Sequence, residues 1–141
     1  MKTWLLDGNV LAALAIGSHP HHERCRRWLA DWLGGSHRFA TCPITEGSLI
    51  RLHARYAEDP SPAAGGAALA ALQRHPAHDL WLNNFSYSEV SLDPLQAHRQ
   101  ITDAWLVELA RRRGGKLVTL DASVATLYPE DAFLIPVLPG L

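Results

Sequence analysis

Short apolar runs in this chain are continuous rather than alternating, and each gives way to a helical pattern. Thr3–Leu6, Arg38–Cys42, Leu80–Leu82, Lys116–Leu120 and Phe133–Val137 read as strands. A strand with one wet face alternates apolar and polar residues, whereas a continuous run signals cover on both faces. The helical patterns between them run over Val10–Ile16, Ser18–Gly34, Ile44–Ala57, Ala63–Arg74 and Ile101–Arg113, with a further turn at Ser123–Leu127. In the second, Cys25, Trp28, Leu29, Trp32 and Leu33 form one apolar stripe, closed off by Gly34-Gly35. Strands alternating with helices imply an α/β fold: three layers, a mostly parallel central sheet, and helices on both faces. Residues 83–97 give no clear pattern, with strand character near Tyr87–Leu92 broken by Pro94.

Length and composition narrow the classes. The 141 residues form one expected domain, 1–141, with 48% hydrophobic and 19% charged residues, which excludes global disorder. Two cysteines, Cys25 and Cys42, do not make a disulfide scaffold and suit a reducing compartment. No apolar run reaches the roughly 18 residues of a membrane span, and Asp7 interrupts the apolar start, so the expected location is the cytoplasm. A net charge of −1 does not by itself advertise a polyanionic partner.

The placement of acids is more informative. The first strand and the penultimate one both end in aspartate, Asp7 and Asp121. Sites in open α/β sheets form at the carboxyl ends of strands, near the point where strand order reverses. Glu46 and Asp103 lie in the first turns of their helices, where the dipole alone favours an acid. Four carboxylates meeting in one cleft would repel by ~1 kcal/mol per 4 Å pair in water and ~4 kcal/mol at an effective dielectric of 20. A hard divalent cation relieves that repulsion, Mg²⁺ or Mn²⁺ best. Such a cation also activates water and clamps a phosphate, and neutralising the acids leaves a remainder that no longer repels RNA.

The run Leu5-Leu6-Asp7-Gly8-Asn9-Val10-Leu11-Ala12-Ala13-Leu14 resembles the opening of PIN domains. Thr41-Cys42-Pro43-Ile44-Thr45-Glu46-Gly47 resembles their second acidic motif. His98-Arg99-Gln100-Ile101-Thr102-Asp103-Ala104-Trp105-Leu106 resembles the third, and Leu117-Val118-Thr119-Leu120-Asp121 the fourth. Order, spacing and length together are similar to ribonuclease toxins of the VapC type. The resemblance implies a Mg²⁺-dependent endoribonuclease, cutting RNA and held inactive by a cognate antitoxin; the oxygen donors would also accept Mn²⁺ as a substitute. It also implies a homodimer. Asp7, Glu46, Asp103 and Asp121 match the family's metal-site acids, and Asn9 and Thr119 match positions that hydrogen-bond within that site.

Among the bases, eleven of thirteen are arginine. Arg51 and Arg55 follow Glu46 on one helix at i, i+4 and are the best placed to hold RNA phosphates; His98, leading into Asp103, is a further candidate contact. The His19-Pro20-His21-His22 run with Cys25 lacks the spacing of a zinc finger or ribbon. Two other functions keep acids at strand ends: a phosphotransfer module, either receiver-like or a haloacid-dehalogenase-like phosphatase, and a non-catalytic binding protein. A receiver wants a lysine after a late strand, but Lys116 precedes its strand. A phosphatase of that type wants aspartate two after its nucleophile, where this chain has Asn9.

Overall fold

The computed structural model describes residues 1–82 and 85–139. Five strands form one all-parallel sheet: β1 (Thr3–Leu6), β2 (Arg38–Thr41), β3 (His78–Leu80), β4 (Leu117–Thr119) and β5 (Ala132–Leu134), in the order β3-β2-β1-β4-β5. The chain steps outward from β1 to β3, then returns to the other side of β1 for β4 and β5. Strand order therefore reverses between β1 and β4, which is where a parallel sheet opens a crevice at its carboxyl edge.

Neighbouring residues on each strand enter different cores, as the pleat requires. Leu5, Ala40 and Leu117 join one buried cluster, most of whose helical members come from α5 (Ile101–Arg112): Ala104, Trp105, Leu106, Val107, Leu109 and Ala110. Leu6, Phe39 and Val118 join the other, against α1 (Gly8–Ala15), α2 (His22–Gly34) and α3 (Pro43–Tyr56). α4 (Pro62–Gln73) covers that same face through Leu69 and Leu72, while α6 (Ala122–Leu127) sends Val124 into the α5 side. Each fully buried leucine or valine contributes about 1.5–3 kcal/mol, so both faces hold the sheet in place.

Two glycines permit the turn and the close approach this arrangement needs. Gly114 takes φ +70°, the left-handed geometry that ends α5. A Cβ on Gly115 would stand 2.4 Å from the Thr3 carbonyl oxygen, a backbone atom of β1 that cannot swing away. Gly115→Ala is therefore expected to destabilise the fold by about 2–3 kcal/mol, measured by urea denaturation. At the same end of the sheet Trp32 is stacked between Trp4 and His37, each at 4.1 Å between ring centroids. Its indole N–H donates to the Arg38 carbonyl at 2.8 Å. The Arg24 guanidinium donates to the carbonyl of Ile135.

Three local expectations shift. β3 lies at His78–Leu80, not at Leu80–Leu82, because Trp81 is a core residue that follows the strand. Its polar residues are matched by polar partners, Asp79 by Arg38 across the edge at 2.6 Å. The strand character near Tyr87–Leu92 is a 3₁₀ turn over Tyr87–Glu89, capped by the Ser86 hydroxyl and the Glu89 carboxylate. The described residues 85–97 of that segment carry no strand, and positions 83 and 84 lie outside the described residues. The second helix starts at His22 instead of Ser18, with the His22 ring bonded to the Ala13 carbonyl at 2.8 Å.

Candidate active site

β1 and β4 pair in parallel with Leu6 opposite Val118, so the chain leaves both strands at the same edge of the sheet. Asp7 follows β1 directly and Asp121 follows β4 by two residues. Each caps the helix after it. The Asp7 Oδ1 accepts from the Gly8 amide at 2.7 Å, and the Asp121 Oδ1 accepts from the Ser123 amide at 2.9 Å and hydroxyl at 2.6 Å.

Thr119, fully buried, ties the two together. Its hydroxyl donates to Asp7 Oδ2 at 2.9 Å and accepts from the Asp121 amide at 3.0 Å. The Asn9 amide nitrogen donates to the same hydroxyl at 3.4 Å, while its oxygen accepts from the Leu120 amide at 3.3 Å. Asn9 and Thr119 thus splice the β1 and β4 exits and fix the direction of the Asp7 carboxylate.

Burial pushes the Asp7 carboxyl above its ordinary range; the Thr119 and Gly8 bonds oppose the shift, and the Asp121 charge adds to it. Asp103, in the first turn of α5, arrives from the opposite layer to α1 and α3. Its carboxyl is pushed up to about 7, first by burial and then by the charges of Asp7 and Asp121. Asp103 thus lies within the field of both Asp7 and Asp121, and among the described residues no lysine or arginine is ion-paired to any of the three. Glu46 sits one strand over, in the first turn of α3 after β2, and is not among the charges that shift them. Its Oε2 accepts from the Thr41 hydroxyl at 2.8 Å and from the Gln73 side-chain amide at 3.0 Å.

The model of the PIN domain family matches residues 4–128 of the chain. Ribonuclease VapC29 of Mycobacterium tuberculosis is 43% identical over 135 residues, covering 95% of this chain and 97% of that protein. This chain belongs to the VapC family of PIN domains. Ribonuclease VapC38 of the same organism is 40% identical over 129 residues, covering 89% of this chain and 90% of its own. Two solved structures share the VapC fold, each with a TM-score of 0.65. VapBC2 from Rickettsia felis, bound to a promoter DNA fragment, has 13% identity over 95% of this chain and 99% of its own. M. tuberculosis VapC20, a sarcin-ricin-loop-cleaving toxin, has 17% over 89% and 95%.

In this VapC-family chain the donors at the carboxyl edge are all oxygens, a set suited to a hard divalent cation. Among the described residues no three carboxylate, imidazole or thiol groups are gathered tightly enough to enclose an ion unaided. Magnesium asks for no such enclosure: one or two carboxylates suffice when waters and substrate phosphates complete its shell. A nearly buried aspartate and a second one pushed toward neutrality, both lacking a cationic partner among the described residues, fit a cation at this edge.

The basic candidates spread along α3. Arg51 lies five residues beyond Glu46, with a guanidinium nitrogen 3.3 Å from the Ser48 hydroxyl. Arg55, about 13 Å beyond Glu46 along the helix axis, places its guanidinium over the Tyr56 ring at 5.3 Å. His98 is exposed in a 3₁₀ turn (His98–Gln100) that leads straight into α5. The arginines of the Arg111–Arg113 cluster serve structure: Arg111 pairs with Glu108 and Asp131, and Arg112 with Glu108.

Sequence reasoning missed Thr41, Gln73 and Ser123 as partners of the acids. Thr41 closes β2 as Thr119 closes β4, a parallel visible in the sequence; nothing local marked Gln73. It also missed Tyr128, whose buried hydroxyl has no hydrogen-bond partner among the described residues.

Proposed function

We propose that this chain is a metal-dependent endoribonuclease and the toxin of a toxin–antitoxin pair. The observation that carries this reading is the junction at the strand-order reversal, where the Thr119 hydroxyl joins Asp7 to the start of Asp121 and Asp103 lies in the field of both acids, with Asp7 almost wholly buried and none of the three ion-paired to a lysine or arginine among the described residues. The names of the curated relatives, all ribonucleases, and the VapBC2 assembly of a structural neighbour support it. Mg²⁺ is the cation proposed, with Mn²⁺ as substitute; Asp7, Asp103, Asp121 and Glu46 would hold it.

A divalent cation bound here supplies activation of a water and neutralisation of charge on the scissile phosphate. The chain's own residues do the rest. Thr119 and Asn9 hold the Asp7 carboxylate still, so no reorganisation is needed when substrate arrives. Arg51 and His98 are proposed to meet RNA phosphates on either side of the acids, with Arg55 a more distant contact. Asn9, committed to Thr119 and the Leu120 amide, has no proton to exchange, which disfavours a phosphatase of the haloacid-dehalogenase type. The antitoxin, a homodimeric assembly and a cytoplasmic location belong to the same proposal; no helix among the described residues is long and apolar enough to cross a membrane.

Purified protein free of any antitoxin is expected to cleave total RNA with Mg²⁺ present and to stop when the metal is chelated. Asp7→Asn should cut at least about a hundredfold more slowly, since even indirect partners of a metal cost 10–100-fold when removed. Cleavage ends mapped on total RNA check both. Equal cleavage by wild type and Asp7→Asn would remove the aspartates from the reaction.

A further inference from the structure

Glu46 is the one acid of the four held by a chain of side chains reaching the sheet edge. Its Oε2 accepts from Thr41 Oγ1 at 2.8 Å, and that hydroxyl lies 2.7 Å from Nε2 of His78 on the edge strand β3. Thr41 is completely buried, so water does not substitute for either partner. A hydroxyl has one hydrogen to give. An ionised Glu46 only accepts, so the Thr41 hydrogen goes to Glu46. The hydrogen between Thr41 and His78 must then come from the imidazole, which places it on Nε2. Burial favours the neutral ring, so this is one defined tautomer.

The consequence lies in which oxygen is used. Thr41 and Gln73 both donate to Oε2, and Oε1 receives none of the described hydrogen bonds. One oxygen is anchored from two directions while the other remains available to a cation. A hydroxyl that accepts a hydrogen bond also donates more strongly, so the imidazole reinforces the bond it does not itself make. Register places these residues together: Thr41 is the partner of Leu80 across β2 and β3, and His78 stands two residues before it on the same strand.

We propose that His78, acting through Thr41, is a positioning residue that sets the Glu46 carboxylate for the metal. The proposal rests on the nuclease reading above and adds a residue none of the acidic motifs contains. Phe at position 78 keeps a planar ring without a donor; Gln keeps a side-chain N–H. His78→Phe should weaken Mn²⁺ binding to RNA-free protein about tenfold by calorimetry and lower kcat by a similar factor, with KM for RNA unchanged. His78→Gln should recover most of both. Thr41→Val should match His78→Phe, and the double variant should be no worse than either single one, as members of one chain behave. Nitrogen NMR of the wild-type imidazole should find the hydrogen on Nε2.

A hydrogen found on Nδ1, or wild-type Mn²⁺ affinity and kcat in His78→Phe, overturns the positioning role while leaving the nuclease reading in place. A wild type that cleaves no RNA in any divalent metal overturns the nuclease reading and this role with it. Thr41→Val tests the same chain should the Phe variant fail to fold.

Discussion

Asp103→Asn is expected to abolish cleavage and, at pH 8 without metal, to make the protein more stable. Asp103 is the clean position for this test: its carboxylate accepts none of the described hydrogen bonds, whereas Asp7 and Asp121 each cap a helix. The native carboxyl is pushed up to about 7 from an unfolded value of 3.8. The native state therefore holds a proton that the unfolded state gives up between those values. Its contribution favours folding at low pH and is lost as pH rises through about 7. The neutral amide escapes that loss.

After allowance for solvent around a half-buried group, the gain at pH 8 is about 1 kcal/mol, or about 3 °C in Tm for a chain of this length. The gap should narrow as pH falls from 7 toward 5, where Asp103 itself becomes neutral. Mg²⁺ should raise the Tm of wild type at pH 8 and do less for the variant, because only the charged carboxylate gains from the cation. Thermal melts across pH, with and without Mg²⁺, read all three effects. A variant that melts many degrees lower at pH 8 would mean Asp103 holds the fold together, contrary to the site described.

Gly8→Ala should be the most damaging small substitution near the acids. A Cβ there would lie 2.4 Å from the Ser48 Cβ, the rigid root of a side chain on α3. No rotamer relieves that contact, so α1 and α3 must part. Because the Asp7 carboxylate caps α1 by accepting from the Gly8 amide, the shift displaces that carboxylate as well. A loss of about 3 kcal/mol is expected, with cleavage falling at least about tenfold beyond what the unfolded fraction explains. Ser48→Gly on the same chain opens the space and should return much of both. A double-mutant cycle by denaturation gives the coupling, and a value near zero would mean the helices separate at little cost.

Much of this was legible because the decisive residues are local. Asp7 and Asp121 announce themselves as acids ending apolar runs, and the polar residues two positions away, Asn9 and Thr119, proved to be the splice between those ends. Strand order was needed to make them neighbours, and no single stretch of sequence carries that. β3 was misplaced because Trp81 and Leu82 look more strand-like than His78 and Asp79. An edge strand is decided by its partner, here Arg38 and Thr41 of β2, and not by its own propensity. The Tyr87–Leu92 segment has β-favouring residues, yet Ser86 and Glu89 close a turn that outweighs them. The Glu46 anchorage was invisible for a different reason: Gln73 is 27 residues away and His78 is 37 residues from Thr41, so only the folded chain joins them.

The indole pair Trp4 and Trp32, face to face at 4.1 Å, sits where the strands begin, away from the acids at their far ends. Two chromophores held that close share excitations, giving circular dichroism a couplet that survives only while β1 and α2 stay docked. The molecule thus carries its own optical gauge of integrity, remote enough from the acids to tell an unfolded variant from an intact one whose acidic site alone is altered.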